Sequence, residues 1–317
     1  MARAFVFPGQ GSQAVGMGRA LAEAFPAARH VLEEVDDALG QHLSRLIAEG
    51  PEAELTLTEN AQPALMAVSM AVLRVLTSEG RFRLREKAAF VAGHSLGEYS
   101  ALAAAGALSL ADAARLLKRR GRAMQRAVPV GEGAMAALLG LDRDAAEEIV
   151  AEAREQRTAE EVIGVANDNA PGQVVVSGHK AAVERAVAVA AARGARRSVM
   201  LPVSAPFHCA LMRPAAEEMR EALADTAIMM PEVPVVANVT AAPVSDPETI
   251  RRLLVEQVTG LVRWRESVLA MKAAGVEELI EVGAGKVLTG LTKRIDRDLK
   301  GQAVGTPEEV EAVLKTL

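Results

Sequence analysis

The sequence is short of cysteine, of aromatic residues and of positive charge, and each shortage removes a class of function. Cys209 is the single cysteine in 317 residues, so no internal disulfide forms and a reducing compartment is expected. His208 and Cys209 are adjacent, which is not metal-ligand spacing, and with no second cysteine to complete a set a zinc site is set aside. Aromatics make up 3%, too few for the platforms on which nucleic acid bases stack. Lys+Arg 36 against Asp+Glu 41 gives a formal net charge of -5, with no overall attraction to polyanions. Met1-Ala2-Arg3-Ala4-Phe5 runs straight into strand-like residues without a basic and apolar leader, and no apolar run is expected to approach the ~20 residues of a membrane span. The expectation is a cytoplasmic protein that engages neither nucleic acid nor membrane.

What is present is a large apolar fraction, 50%, enough for two domains or one domain with an insertion. The chain is organised around Gly93-His94-Ser95-Leu96-Gly97-Glu98. Lys87 to Ala92 reads as a short strand and the Ala-rich stretch Leu96 to Leu108 as a helix. Gly-x-Ser-x-Gly between a strand and a helix is a nucleophile elbow, in which the glycines remove Cβ atoms that would block a tight, strained turn. The turn lifts the Ser95 hydroxyl clear of the sheet and aims the first N–H groups of the helix, that of Leu96 among them, at a developing oxyanion.

Ala4 to Phe7 predicts a strand ending at the turn Pro8-Gly9-Gln10-Gly11-Ser12-Gln13. Gly9-x-Gly11-x-x-Ala14 formally matches a dinucleotide fingerprint, but the second strand that motif requires is replaced by helical sequence from Ala20 to Leu46. The turn is better placed as a loop at a strand's carboxyl end, presenting Gln10 beside Ser95. Asn60 to Gly80 predicts a long helix whose Leu65, Val68, Val72 and Val75 face the core. Ser109-Leu110-Ala111-Asp112 is a capping box that starts a helix reaching about Val128. On that helix Ala113, Leu116, Leu117 and Met124 form one face, while Arg115, Lys118, Arg119, Arg122 and Arg126 form the other. Arg120 projects on the apolar side. Its partner is either an internal acidic residue or a carboxylate that arrives with a substrate.

Val128 to Gly133 marks a boundary, after which the order changes to strand Ala134–Leu139, helix Arg143–Gln156, strands Val162–Ala166 and Gln173–Ser177, helix Lys180–Arg193 and strand Arg196–Met200. This β-α-β-β-α-β order is ferredoxin-like and predicts an inserted small domain at 129–201, within a larger α/β domain at 1–128 and 202–317. The amide-rich stretch Asn167 to Gln173 is expected to be a loop, which either hydrogen-bonds a polar ligand or is simply a turn. Beyond the insertion, His208 lies in a two-proline loop, where functional groups gather. Strands Val233–Asn238 and Glu277–Val282 and helices Pro247–Val258 and Trp264–Ala274 complete the expected elements.

Taken together, Phe7-Pro8-Gly9-Gln10-Gly11-Ser12-Gln13, Ala61-Gln62-Pro63-Ala64, Gly93-His94-Ser95-Leu96-Gly97-Glu98, Arg120-Gly121 with Met124-Gln125, Pro206-Phe207-His208, and Glu281-Val282-Gly283 before Gly285-Lys286 closely resemble the malonyl-CoA:acyl carrier protein transacylases, which are related to polyketide synthase acyltransferase domains. The likeness spans essentially the whole chain. It implies an α/β-hydrolase-like large domain with a mostly parallel sheet carrying the ferredoxin-like insertion. Ser95 would be the nucleophile, His208 its base and acid, and the backbone carbonyl of Gln257 the group that orients the histidine. The N–H groups of Gln10 and Leu96 would form the oxyanion hole. Arg120 would grip the free malonyl carboxylate, with Gln62 and Asn169 lining the acyl and CoA cleft; His94 matches without a separate role. Leu96 after the serine and the bulky Phe207 resemble the malonyl-specific pattern, since Phe207 would crowd an α-methyl branch, although a methyl group is worth only ~1–3 kcal/mol. The resemblance further implies malonyl-CoA and acyl carrier protein as partners, phosphopantetheine on the carrier and no cofactor bound by the enzyme; a monomer is expected, although the sequence does not fix the oligomeric state. Lys286, Lys293 and Arg294, with Lys118, Arg119 and Arg122, are candidate carrier-docking cations. A serine thioesterase or esterase on the same elbow, an acyltransferase of a polyketide pathway, and a non-catalytic carrier-binding scaffold are the alternatives.

Overall fold

Short apolar runs build two separate sheets in the computed structural model, which describes residues 2–156 and 160–317; residues 1 and 157–159, inside the two expected units, lie outside it. The strands, in chain order, are β1 (Ala2–Phe7), β2 (Phe90–Gly93), β3 (Gly133–Leu139), β4 (Ile163–Ala170), β5 (Gln173–His179), β6 (Arg197–Met200), β7 (Val235–Ala237), β8 (Ala242–Val244), β9 (Val276–Val282) and β10 (Lys300–Val304). Six of them form one sheet in the order β10-β9-β1-β2-β7-β8, parallel except for the β7–β8 pair. The other four form an antiparallel sheet in the order β4-β5-β3-β6. The architecture is mixed α/β. Phe5 and Phe7 point from β1 into one apolar layer while Ala4 and Val6 point into the other. A strand covered on both faces reads as a continuous apolar run for this reason.

Helix Thr58–Gly80 is buried nearly all round, so its apolar stripe is wider than the four residues its spacing marks. Contrary to the expectation of no such run, it is long and apolar enough to cross a membrane. Its most apolar window is 83% buried inside the protein, as in a core helix. The helical sequence expected from Ala20 to Leu46 is divided into three helices, Arg19–Ala24, Pro26–Leu39 and Leu43–Glu49. Pro26 opens the second at its first position, and Gly40, at φ 57°, ends it.

Two further boundaries differ. Lys87 belongs to a helical turn, Leu84–Lys87, and the strand before Ser95 starts at Phe90. The stretch from Asn167, expected as a loop, stays in β4 as far as Ala170 and turns only at Pro171-Gly172. Its amides and carboxylate are poor strand formers in isolation. Here β4 is paired with β5 on one edge, and on the other Asp168 N–H donates to the Val262 carbonyl and Val262 N–H to that of Ala166. Paired edges override the local preference, and the same bonds tie the smaller sheet to the larger unit.

Candidate active site

Ser95 stands between β2 and the helix Gly97–Ala104 at φ 54°, a left-handed conformation strained for a residue with a Cβ. A Cβ at Gly93 would lie 1.9 Å from the Gly97 carbonyl carbon, and one at Gly97 would lie 2.3 Å from the Phe7 carbonyl oxygen, so the turn closes only with glycine at both places. Two buried amides hold it. Asn238 Oδ1 accepts from the Ser95 N–H at 2.8 Å and its Nδ2 donates to the Gly93 carbonyl at 2.7 Å, while Gln257 Nε2 donates to the Ser95 carbonyl at 3.0 Å. Beneath them Glu98 Oε2 accepts from Asn238 N–H at 2.9 Å and from Gln257 Nε2 at 2.8 Å. Burial pushes the Glu98 carboxyl up to about 7, against the lowering effect of these bonds and of Arg120.

His208 enters from the loop after β6, itself at φ 57°. Its Nε2 lies 2.8 Å from Ser95 Oγ, and its Nδ1 lies 2.9 Å from the Gln257 carbonyl oxygen. A carbonyl only accepts, so Nδ1 carries the proton and Nε2 turns a lone pair to the serine hydroxyl. Burial first, and the positive charge of Arg120 second, push the imidazole down to about 3. It is therefore neutral, as a base must be before it takes a proton.

Arg120 is 1% exposed on helix Leu110–Ala127. Gly121 beside it lets that helix press on Thr58–Gly80, since a Cβ there would lie 2.5 Å from the Glu59 Cα. Among the described residues no acidic side chain is ion-paired with Arg120. Its Nη1 donates to Gln62 Oε1 at 2.8 Å, its Nη2 donates to Gln257 Oε1 at 2.9 Å, and Nη2 lies 3.3 Å from Ser95 Oγ. The Tyr99 ring lies under the guanidinium, 5.8 Å from its carbon to the ring centroid. Neutral acceptors orient this cation without cancelling it, which leaves its charge available to an anion at the serine.

These groups open on a cleft of about 500 Å³ between the two sheets, lined by Gln10, Gln62, Leu96 and Phe207 as well as Ser95, His208 and Arg120. Gln10 is held by a chain in which Gln62 Nε2 donates to Thr58 Oγ1 and Thr58 donates to Gln10 Oε1, both at 2.9 Å. The N–H groups of Gln10 and Leu96 make no hydrogen bond to the chain among the described residues. Asn167, rather than Asn169, is among the residues that line the cleft. Asn169 Oδ1 lies 2.8 Å from His94 Nε2, one step behind the lining. Glu98, Tyr99 and Asn238 received no role from the sequence, and Asn167 only that of one amide among several able to bond a polar ligand. Glu98 stood inside the elbow motif, and a charged residue on the buried first turn of an apolar helix was the signal that could have marked it.

The basic face of helix Leu110–Ala127 also needs correction. Lys118 is 9% exposed and donates to Asn60 Oδ1 at 2.7 Å. Arg119 pairs with Glu218 and Glu221, and Arg122 pairs with Glu59. Lys286 pairs with Glu309 and Arg294 donates to Gln173, whereas Lys293 is exposed and has no ion pair among the described residues.

Comparison with known proteins agrees along the whole chain. The family model described as acyl transferase domain matches residues 4–305. A malonyl CoA-acyl carrier protein transacylase of Escherichia coli K12 is 49% identical over 312 residues, covering 98% of both chains. The crystal structure of an acyl-carrier-protein-S-malonyltransferase from Bartonella henselae is 58% identical with a TM-score of 0.96, covering 100% of this chain and 99% of that one. A malonyl-transacylase solved in complex with its type II polyketide synthase acyl-carrier protein is 43% identical with a TM-score of 0.95, each chain being covered completely.

Proposed function

The chain belongs to the acyl transferase family, and from that membership we propose that it carries a malonyl group from malonyl-CoA to the phosphopantetheine thiol of acyl carrier protein. The observation that carries the chemistry is Ser95 Oγ lying between His208 Nε2 at 2.8 Å and the Arg120 guanidinium at 3.3 Å.

In this reading His208 takes the Ser95 proton as the oxygen attacks the thioester carbon. The N–H groups of Gln10 and Leu96 hold the tetrahedral oxyanion. His208 returns the proton to the departing CoA thiolate, leaving an O-malonyl ester on Ser95. The carrier thiol then enters, gives its proton to His208 and attacks the ester; the malonyl group leaves on the carrier as His208 passes that proton to the departing Ser95 oxygen. Arg120 fixes the free carboxylate throughout, and Gln62 and Gln257 hold Arg120 in place. The reaction needs no cofactor on the enzyme. Residues 129–201 are taken as an inserted ferredoxin-like unit that supplies Met135 and Asn167 to the cleft, on an α/β-hydrolase-like base. Lys286, Lys293 and Arg294 are proposed to meet the carrier, and a cytoplasmic monomer completes the proposal.

The esterase reading is less well supported. It calls for a carboxylate on the second histidine nitrogen, and a backbone carbonyl occupies that place. Incubating the enzyme with malonyl-CoA, with and without holo carrier protein, tests the choice. Transfer predicts malonyl-carrier as the main product and, without carrier, a stalled acyl-enzyme. Rapid release of free malonate without carrier would favour the hydrolase.

A further inference from the structure

Glu98 is a buried carboxylate to which the acyl-transfer steps give no task. It is 3% exposed and sits on the first turn of the helix after Ser95. One of its oxygens, Oε2, receives both the Asn238 N–H and the Gln257 side-chain nitrogen. That arrangement decides which way the Gln257 amide faces. Its nitrogen meets three acceptors, Glu98 Oε2 at 2.8 Å, the Ser95 carbonyl at 3.0 Å and Asn238 Oδ1 at 3.3 Å. Its oxygen meets a donor, Arg120 Nη2, at 2.9 Å. Turned over, the amide would set its NH2 against the guanidinium and its oxygen against three oxygens, in a place that water does not reach. Glu98 Oε2 is the nearest of the three acceptors, and it also receives the Asn238 N–H, so it fixes the side on which the amide nitrogen lies.

We propose that Glu98 is a positioning residue for acyl selection, which acts through the Gln257 amide to hold the Arg120 guanidinium beside Ser95 in the pose that receives the free carboxylate of the acyl group. Glu98 touches neither the acyl donor nor the serine oxygen. The inference rests on the malonyl-transfer reading and adds a residue to its specificity. A purely structural Glu98, bracing the elbow through Asn238, would affect every acyl donor alike. A Glu98 that acts through Arg120 separates donors with a free carboxylate from donors without one.

The test is the ratio of Ser95 loading rates from malonyl-CoA and acetyl-CoA, by quenched-flow intact mass, in wild type, Glu98→Gln, Glu98→Ala and Gln257→Met. Glutamine keeps an oxygen where both donors converge, so Glu98→Gln is expected to hold the ratio within about threefold of wild type. Glu98→Ala leaves the Gln257 amide free to turn, and the ratio is expected to fall about tenfold or more. Should Glu98→Ala fail to fold, Gln257→Met decides, since it removes the amide and keeps the backbone carbonyl that faces His208; the same tenfold fall is expected. Parallel loss of both loadings, a ratio within threefold of wild type in Glu98→Ala or Gln257→Met, or a fall in Glu98→Gln as large as in Glu98→Ala overturns the inference. A wild type with no malonyl preference overturns the malonyl reading, and this inference with it.

Discussion

The Gln257 carbonyl oxygen accepts a hydrogen bond from His208 Nδ1 at 2.9 Å, where a Ser-His-Asp triad would place a carboxylate. A neutral acceptor fixes the tautomer but gives little help to an imidazolium. Burial and the adjacent Arg120 charge act against protonation and outweigh the raising effect of the Gln257 carbonyl, so the imidazole is held down to about 3. The free enzyme should therefore keep its base ready well into acid. We predict that kcat/KM for malonyl loading shows no acid limb near pH 6.5. In Arg120→Ala, assayed with acetyl-CoA, the limb should move upward because one cause of the depression is gone. Half-loss of wild-type loading near pH 6.5, as for an ordinary imidazole, would contradict this.

Glu98 shifts the other way. Burial raises its folded value from the ordinary 4.5 to about 7, so between those values the folded state holds a proton that the unfolded state releases. Its contribution to stability is whole below about pH 4.5 and is lost as pH climbs through about 7. Arg120 and Tyr99 are the other titratable side chains coupled to it. Glu98→Gln has no such loss. Its Tm relative to wild type should rise between pH 5 and pH 8, by an amount corresponding to at most ~3 kcal/mol. A pH-independent Tm difference would show that the carboxyl is not perturbed in the fold.

Gly121 sets how closely the Arg120 helix approaches Thr58–Gly80. Gly121→Ala would raise helix propensity and yet force the helices apart, at a cost of ~1–3 kcal/mol. It should lower Tm and, by withdrawing Arg120, reduce malonyl loading more than acetyl loading. A Tm equal to wild type with unchanged loading would mean that the helices part freely.

The elbow, the helix start at Ser109 and the inward Arg120 were legible because each rests on local rules: glycines at a tight turn, a side chain reaching three residues on, and an apolar face with one cation in it. Ser109 Oγ accepts the Asp112 N–H, but the Asp112 carboxylate takes the Ser109 hydroxyl rather than its backbone N–H, so the cap forms without the reciprocal half of the expected capping box. Asn167 to Ala170 was not legible, because its strand conformation comes from β5 and from the segment at Val262, far off in sequence. Lys118 was misplaced on the solvent face for a similar reason. Its spacing is that of an exposed residue, but Asn60 and Glu59 from the neighbouring helix enclose it. The amides of Asn238 and Gln257 under the elbow are 143 and 162 residues away from Ser95 along the chain, and no period or spacing links them to it. Resemblance pointed to the Gln257 backbone; its side chain emerges only from the fold.

The most direct measurement is intact mass after mixing with malonyl-CoA and, separately, acetyl-CoA, for wild type, Ser95→Ala and Arg120→Ala. Removing one side of a buried charge pair costs ~3–5 kcal/mol, so malonyl preference should fall by roughly a hundredfold or more without Arg120. The account predicts a malonyl adduct on the wild type, none on Ser95→Ala, and in Arg120→Ala a lost malonyl adduct with acetyl loading spared or improved. A malonyl adduct that persists in Ser95→Ala, or malonyl preference retained in Arg120→Ala, would contradict it.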